Sequence, residues 1–486
     1  MENTEIQSEQ KDISASQNIW DKIESVKKLL DGHENFSRED LSKIEALLSQ
    51  IDKETKKLEG KSISFFDDTI FGKLKQLFPN NSFFDGKIGQ FIDSARLLID
   101  WEHAFEEIGN QIDKAQKSIE ITMFIWRDDK VGNMLAQKIL NAANRWVKVV
   151  INKDRYWALF EHAEQNKQSF FHPKLSDDEL FKSKSLDNIY KNKDESSSRA
   201  WDNQLPSPLL NSILHHPNIT LHIGDLQEKM RTDGNWKDIK ATWLRYDHSK
   251  YWIFDDKTMI TGGMNIGDEY KGSWHDYMVK MDSLALVSKL RTRLSGKDDF
   301  DSGASVEFWL NRVENGIIQE KEIKPKILEL IQSARQEIII EMSYFWDTDI
   351  SDEIITKANQ WVAIKIILPK QANVQDDLNK SIMQKILSKT HGNVDIYFYP
   401  RMLHAKVIHI DGEKTFMWSA NLNKQATEKL WELNILISDK DCQFTQDLKR
   451  QLEQDMRESE LFVPSTGWKI PFNPIKSYME NAWSSF

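Results

Sequence analysis

One arrangement of residues occurs twice in this chain. His248, Lys250 and Asp255 stand in HSKYWIFD, and His404, Lys406 and Asp411 stand in HAKVIHID. Asn265 follows the first histidine by 17 positions and Asp276 follows it by 28; Asn421 and Glu432 follow the second at the same 17 and 28. An arginine, Arg245 or Arg401, lies three residues before each histidine. Offsets held in register over this length identify an internal repeat, so the chain folds as two copies of one unit.

The strand period of two puts His248 and Lys250 on one face of an extended segment and His404 and Lys406 on one face of another. The apolar residues between and after them suit buried strands. Asp255-Asp256 and Asp411-Gly412 then signal turns before second strands at about 258–261 and 415–418. Each motif therefore predicts a hairpin ending in a small-residue loop, GGMN at 262–265 and WSAN at 418–421. Such a loop returns Asn265 or Asn421, with exposed backbone N–H groups, toward the histidine, an arrangement suited to a phosphate oxygen. Asp276 and Glu432, each 11 residues past the asparagine, suit the histidine's second ring nitrogen. Asp255 and Asp411 fall on the opposite parity and read as structural supports of the turn.

Two imidazoles suit phosphodiester exchange, in which one group attacks phosphorus and the other protonates the departing oxygen. Lys250, Lys406, Asn265 and Asn421 would bind the non-bridging oxygens and stabilise developing charge without a metal. No HExxH or paired-cysteine spacing points to zinc and no P-loop to a nucleotide, so no metal or cofactor is expected, carboxylate-held magnesium staying open. His215, His216 and His222 lack a second ligand group. His275 neighbours a site residue, and parity turns His409 away from His404 and Lys406.

These motifs resemble the phospholipase D superfamily, whose HxK-x4-D signature with a following asparagine loop is matched by His248/Lys250/Asp255/Asn265 and His404/Lys406/Asp411/Asn421. In detail the chain is most similar to bacterial cardiolipin synthases. The likeness rests on TGGMNIGDEY at 261–270, Trp-His-Asp at 274–276, SANLN at 419–423, WELNILI at 431–437 and the lead-in at 123–151, and it covers roughly 85–460. The resemblance implies one site at a pseudo-twofold interface and a covalent phosphohistidine, resolved by water or by an alcohol. It assigns His248 as nucleophile and His404 as general acid. Two features depart from the synthase pattern. No apolar run approaches the roughly 18 residues of a membrane span, and Arg145-Trp146 and Gln360-Trp361 stand where the family has Arg-Gly. A phospholipase therefore stands beside a synthase as the expected activity.

The chain has 486 residues, 40% hydrophobic and 29% charged, enough for two domains with cores of their own. The single cysteine, Cys442, excludes an intramolecular disulfide. Net charge is −11, of which −5 falls in the first 60 residues, which disfavours the broad basic footprint of a nuclease. The N-terminus is polar and acidic, unlike a secretory signal. The chain is expected in the cytoplasm or peripherally at a membrane, with signal-independent secretion an option.

The expected architecture is α/β: a pseudo-twofold repeat of two phospholipase D-like α/β sandwich domains with an N-terminal helical extension. The extension covers 1–60, with helices over 17–31 and 38–58 and a capping box at Ser37 and Asp40. The first half covers 85–295, with an insertion at about 155–212 read as either a lid beside the site or a variable loop. The second half covers 305–462 and a tail 463–486. Strand–helix alternation predicts a largely parallel sheet plus the motif hairpins, with helices near 102–117, 131–145, 324–335 and 351–361 and strands at 118–125, 147–152, 337–345 and 363–368. The expected partner is a phospholipid substrate at a membrane surface, acted on by a monomer holding both half-sites, with no nucleic acid. A nuclease of the same superfamily and a catalytically silent binding protein are the alternatives.

Overall fold

The computed structural model describes residues 38–55, 95–153, 170–171, 207–223, 247–296, 305–314 and 317–463, together with positions 22, 25, 26, 28, 29, 470, 473, 474 and 477. The chain divides into two compact units, one of residues 1–91 with 284–288, the other of 92–283 with 289–486. Arg245, Ser37 and most of the insertion lie outside the described residues. So does most of the tail.

In the first unit, α1 (Arg38–Thr55) falls within the helix expected over 38–58. It buries Ile44, Leu48 and Ile51 at helical spacing and opens with Glu39 and Asp40, acids that favour a helix N-terminus.

The second unit holds both copies of the repeat. Its first copy runs β1 (Arg96–Ile99), α2 (Asp100–Lys114), β2 (Ser118–Met123), α3 (Lys130–Asn144), β3 (Lys148–Lys153), α4 (Pro208–Leu214), β4 (Ile219–Ile223), β5 (Tyr251–Phe254), β6 (Thr258–Gly262), β7 (Trp274–His275) and β8 (Tyr277–Asp282). After α5 (Leu284–Leu294), the second copy runs β9 (Val306–Glu314), β10 (Ile317–Lys321), α6 (Ile323–Ser333), β11 (Glu337–Met342), α7 (Thr348–Asn359), β12 (Ala363–Pro369), α8 (Asp376–Ser388) and β13 (Val394–Tyr399). It continues through β14 (Met402–Leu403), β15 (Lys406–Ile410), β16 (Lys414–Trp418), α9 (Lys424–Glu428), β17 (Glu432–Ser438), α10 (Gln443–Glu458) and β18 (Glu460–Leu461).

The strand order β8-β6-β5-β2-β3-β4 in one sheet repeats as β17-β16-β15-β11-β12-β13 in the other. Each motif is thus a hairpin, β5–β6 or β15–β16, laid antiparallel against the first strand of its half. Within these two sheets, among the described residues, only β2-β3-β4 and β11-β12-β13 pair in parallel, so each sheet is mixed rather than largely parallel. The cause is the motif itself: a tight two-aspartate or Asp-Gly turn can join only antiparallel strands.

The central strands read as continuous Ile/Val runs because helices cover them. Ile119, Ile121, Val149 and Ile151 pack with Leu135, Ala136 and Ile139 of α3; Ile338, Ile340, Ile364 and Ile366 pack with Ile350 and Ile354 of α7. Each such fully buried side chain contributes roughly 1.5–3 kcal/mol. Phe170 and Phe171, from the segment read as a lid or loop, are buried against Trp126 with ring centroids 6.0 and 5.4 Å away. That pair is core.

Both α3 and α7 end in the same way. Trp146 at φ 71° and Trp361 at φ 68° are left-handed residues just past the helix. The N–H of the next residue, Val147 or Val362, returns to the carbonyl of Ala142 or Lys357. This is the Schellman ending that favours glycine. Both indoles are exposed, at 81% and 78%.

Candidate active site

Asp255 and Asp411 fix the far end of each hairpin. The Asp255 carboxylate accepts the N–H groups of Gln116, Lys117 and Ser118 at 2.7–3.2 Å. That of Asp411 accepts those of Arg335, Gln336 and Glu337 at 2.8–2.9 Å. Burial opposes their charge, but these N–H groups hold both carboxyls below their ordinary range. Each aspartate therefore ties its turn to the start of the neighbouring strand, β2 or β11, and touches nothing at the histidine end.

The histidine ends of the two hairpins meet across the halves. The N–H of His248 donates to the Trp431 carbonyl at 2.9 Å beside a parallel Asp247–Trp431 bridge. The N–H of His404 donates to the His275 carbonyl at 2.7 Å beside the parallel pair β14–β7. This equivalence sets each ring next to the acid of the opposite half. Glu432 lies 2.9 and 3.1 Å from Nδ1 of His248, and Asp276 lies 2.7 Å from Nδ1 of His404. The pairing expected within each motif is in fact crossed. In a neutral ring so held, Nδ1 carries the proton and Nε2 keeps its lone pair.

The lysines stand beside the rings. Lys250 Nζ donates to the His248 carbonyl and Lys406 Nζ to the His404 carbonyl, both at 2.6 Å. Asn265 Oδ1 accepts the Ile125 N–H at 3.2 Å and its amide reaches the Tyr270 hydroxyl at 3.3 Å, while Asn421 Oδ1 accepts the Ser343 hydroxyl at 2.9 Å. A Cβ on Gly263 would fall 2.5 Å from Asp276 Oδ1, so only glycine lets the loop pass that carboxylate.

Burial dominates the electrostatics. It holds the His248 ring down at about 4, with Glu432 pulling up and Lys250 pushing down. His404 is held well below its ordinary value by burial, then by Lys406 and Lys250. Burial also lowers Lys250 to about 7 and Lys406 to about 8, and lifts Asp276 to about 7 against the pull of Lys406. Each ring feels the lysine of the other half, so the two histidines, the two lysines and the two carboxylates form one site. Four cationic or neutralisable bases around two carboxylates make a cradle for an anion.

Several neighbours were not read from the sequence. Phe124 meets His248 edge-on at 4.5 Å and lies under Lys250 Nζ at 5.0 Å. Trp274 stacks on His404 at 5.2 Å, and the Tyr270 hydroxyl lies 3.2 Å from His404 Nδ1. Tyr270 and Trp274 belong to the GDEY and Trp-His-Asp stretches. Phe124 and Ser343 follow β2 and β11 at matching positions, a signal available once the strands are aligned. His409 bonds Thr415 at 3.0 Å, away from the site. Among the described residues, a ring nitrogen and two carboxylates come within 4.8 Å only at His275, Glu341 and Asp455. There the polar atoms are engaged with one another and with Tyr277, which is proton sharing rather than an ion cradle.

The chain is similar to several known proteins. The chain is 24% identical over 427 residues to a cardiolipin synthase of Clostridium perfringens, covering 79% of this chain and 76% of that protein. It is 24% identical over 246 residues to a probable cardiolipin synthase of Bacillus subtilis, covering 45% and 47% of the two. Among solved structures, a phosphatidylserine synthase of Haemophilus influenzae shares the fold with a TM-score of 0.55 at 13% identity, over 82% of this chain and 98% of that one. No described helix is long and apolar enough to cross a membrane. The family model described as cardiolipin synthase, PLD-like domain, matches residues 108–296 and 327–456, and the chain belongs to that family.

Proposed function

We propose that this chain is a phospholipase D-type phosphatidyltransferase or hydrolase that exchanges or removes the headgroup of a phospholipid. The observation that carries this reading is the crossed pair of histidine–carboxylate couples, Glu432 on His248 and Asp276 on His404, buried beside Lys250 and Lys406. Nε2 of His248 attacks phosphorus and the phosphorus–oxygen bond to the leaving group breaks. His404, charged when the bound phosphate and Asp276 offset the lysines, gives its proton to the leaving oxygen. The acceptor hydroxyl then returns a proton to His404 as its oxygen displaces the histidine from phosphorus. Lys250, Lys406, Asn265 and Asn421 hold the non-bridging oxygens. Similarity to proteins named as cardiolipin and phosphatidylserine synthases supports a phospholipid as substrate. In this reading one chain, with halves over 85–295 and 305–462, acts as a monomer at a membrane surface.

The test is incubation of the full chain with vesicles of single phospholipids, with and without glycerol or ethanol, and identification of products by mass spectrometry. A new phosphatidyl ester in the presence of alcohol is expected, and phosphatidic acid in its absence. Cleavage of plasmid DNA with no action on any vesicle would refute the assignment.

A further inference from the structure

His275 and Trp431 occupy equivalent places, each offering its carbonyl to the N–H of the opposite histidine. Their side chains differ in kind. The His275 ring, 1% exposed, has Nδ1 2.7 Å from Asp100 Oδ1 and Nε2 3.3 Å from Asp455 Oδ2, 3.7 Å from Glu341 and 2.9 Å from the Tyr277 hydroxyl. Tyr277 in turn lies 3.2 Å from both Glu341 oxygens and 2.5 Å from Asp455. The remaining neighbours are Tyr399, stacked on the ring at 5.0 Å, and Arg401, 3.7 Å from Asp100. Both ring nitrogens face carboxylates, and a ring with acceptors at both nitrogens carries a proton on each.

The consequence reaches Asp276 through Asp100. One oxygen, Asp100 Oδ1, accepts both the His275 ring N–H and the Asp276 backbone N–H at 3.1 Å, while the Asp100 N–H donates to the Asp276 carbonyl at 2.9 Å. Asp100 holds a left-handed φ of 55°, a conformation that a non-glycine residue keeps where neighbours enforce it. Asp276 is thereby clamped at its backbone by a residue that the His275 ring orients, and its carboxylate holds His404. The polar groups that meet the ring nitrogens come from α2, β8, β11 and α10, so the clamp also joins the two halves.

We propose that His275 is a positioning residue for the reaction, an imidazolium that fixes Asp276 and the His404 main chain so that the His404 ring meets the leaving oxygen. The proposal rests on the phosphohistidine reading for its kinetic consequence but not for its charge. Replacing the ring leaves the reacting groups in place and loosens one of them, a displacement of the size that costs about 100-fold in rate.

The test uses the full chain with His275→Gln and His275→Arg, assayed on bis(p-nitrophenyl) phosphate and phosphatidylglycerol vesicles, with histidine-labelled NMR of each protein. His275→Gln is expected to lower kcat about 100-fold with little change in KM, to move the pH limb that His404 sets, and to shift the His404 resonance while leaving His248 unmoved. His275→Arg, which keeps charge and donors, recovers at least tenfold of that loss, a rescue that a purely structural role would not give. In the wild type the His275 ring stays doubly protonated from pH 6 to 9. A neutral ring in that range, a bound zinc ion on it, or wild-type kcat and pH profile in the glutamine variant would overturn the proposal. An imidazolium in a wild type that cleaves no diester would instead count against the proposed function alone.

Discussion

Glu432 holds the ring of His248 across a separation of 184 residues, its two oxygens 2.9 and 3.1 Å from Nδ1. Asp276 does the same for His404 across 128. Each half therefore contributes a histidine and the carboxylate for the other half's histidine, and neither half contains a complete proton-handling pair.

That crossing predicts which ring responds to which acid. Glu432 raises the His248 value, so Glu432→Gln should drive it below about 4 and leave His404 nearly unmoved, while Asp276→Asn perturbs His404. Histidine NMR titration of the two variants checks this. A response of His404 to Glu432→Gln would contradict the pairing.

The two histidines should also fail differently. His248→Asn removes the attacking nitrogen and abolishes the covalent intermediate. His404→Asn still permits attack on an activated diester such as bis(p-nitrophenyl) phosphate and should accumulate phosphohistidine, detected by intact-protein mass spectrometry. Lys406→Ala should reduce kcat about 100- to 1000-fold, the loss expected for one preorganised donor. Normal turnover by His248→Asn would reassign the nucleophile.

Anion affinity should fall as pH rises through the neutral range. With Lys250 at about 7 and Lys406 at about 8, an anion that requires both charges binds with proton uptake above those values. Asp276 becomes anionic over the same range and adds repulsion. The Kd for tungstate should rise about tenfold or more per pH unit above pH 8, measured by calorimetry in buffers of different ionisation heat.

His275 should contribute stability that is likewise lost as pH rises. Burial alone would lower its value, but hydrogen bonds to Asp100 and Asp455 carry the ring up to about 10. The folded state then holds a proton that the unfolded state, near 6.5, releases. Its contribution is full below about pH 6.5 and is lost as pH rises toward 10. The stability gap between wild type and His275→Gln, from urea unfolding, should shrink across that interval; a gap that widened would reverse the sign.

Much of this arrangement was legible in the sequence because the offsets from His248 to Asn265 and Asp276 are local. A hairpin, its loop and the strand after it fix those distances along the chain, and the same strand order follows in both sheets. The crossing was not legible, since spacing within a motif says nothing about which ring an acid reaches through another half. Antiparallel pairing goes beyond the expected hairpins because β8 and β17 add to each hairpin and β1, β9 and β10 extend the sheet edges, pairings that strand–helix alternation does not describe. Asp255 and Asp411 look from sequence like turn residues alone; their carboxylates reach backbone N–H groups more than 70 residues away. Phe124 and Ser343 carry no motif, and the His275 cluster draws on four elements that only packing brings together.

The parallel pairings that seat the two histidines, Asp247 with Trp431 and Met402–Leu403 with Trp274–His275, have a consequence for a chain still being made. Until residue 432 has emerged and docked, His248 has no carboxylate, whereas the partner of His404, Asp276, precedes it in the chain. A growing chain therefore lacks one of its two histidine–carboxylate couples until both copies of the repeat have emerged and docked.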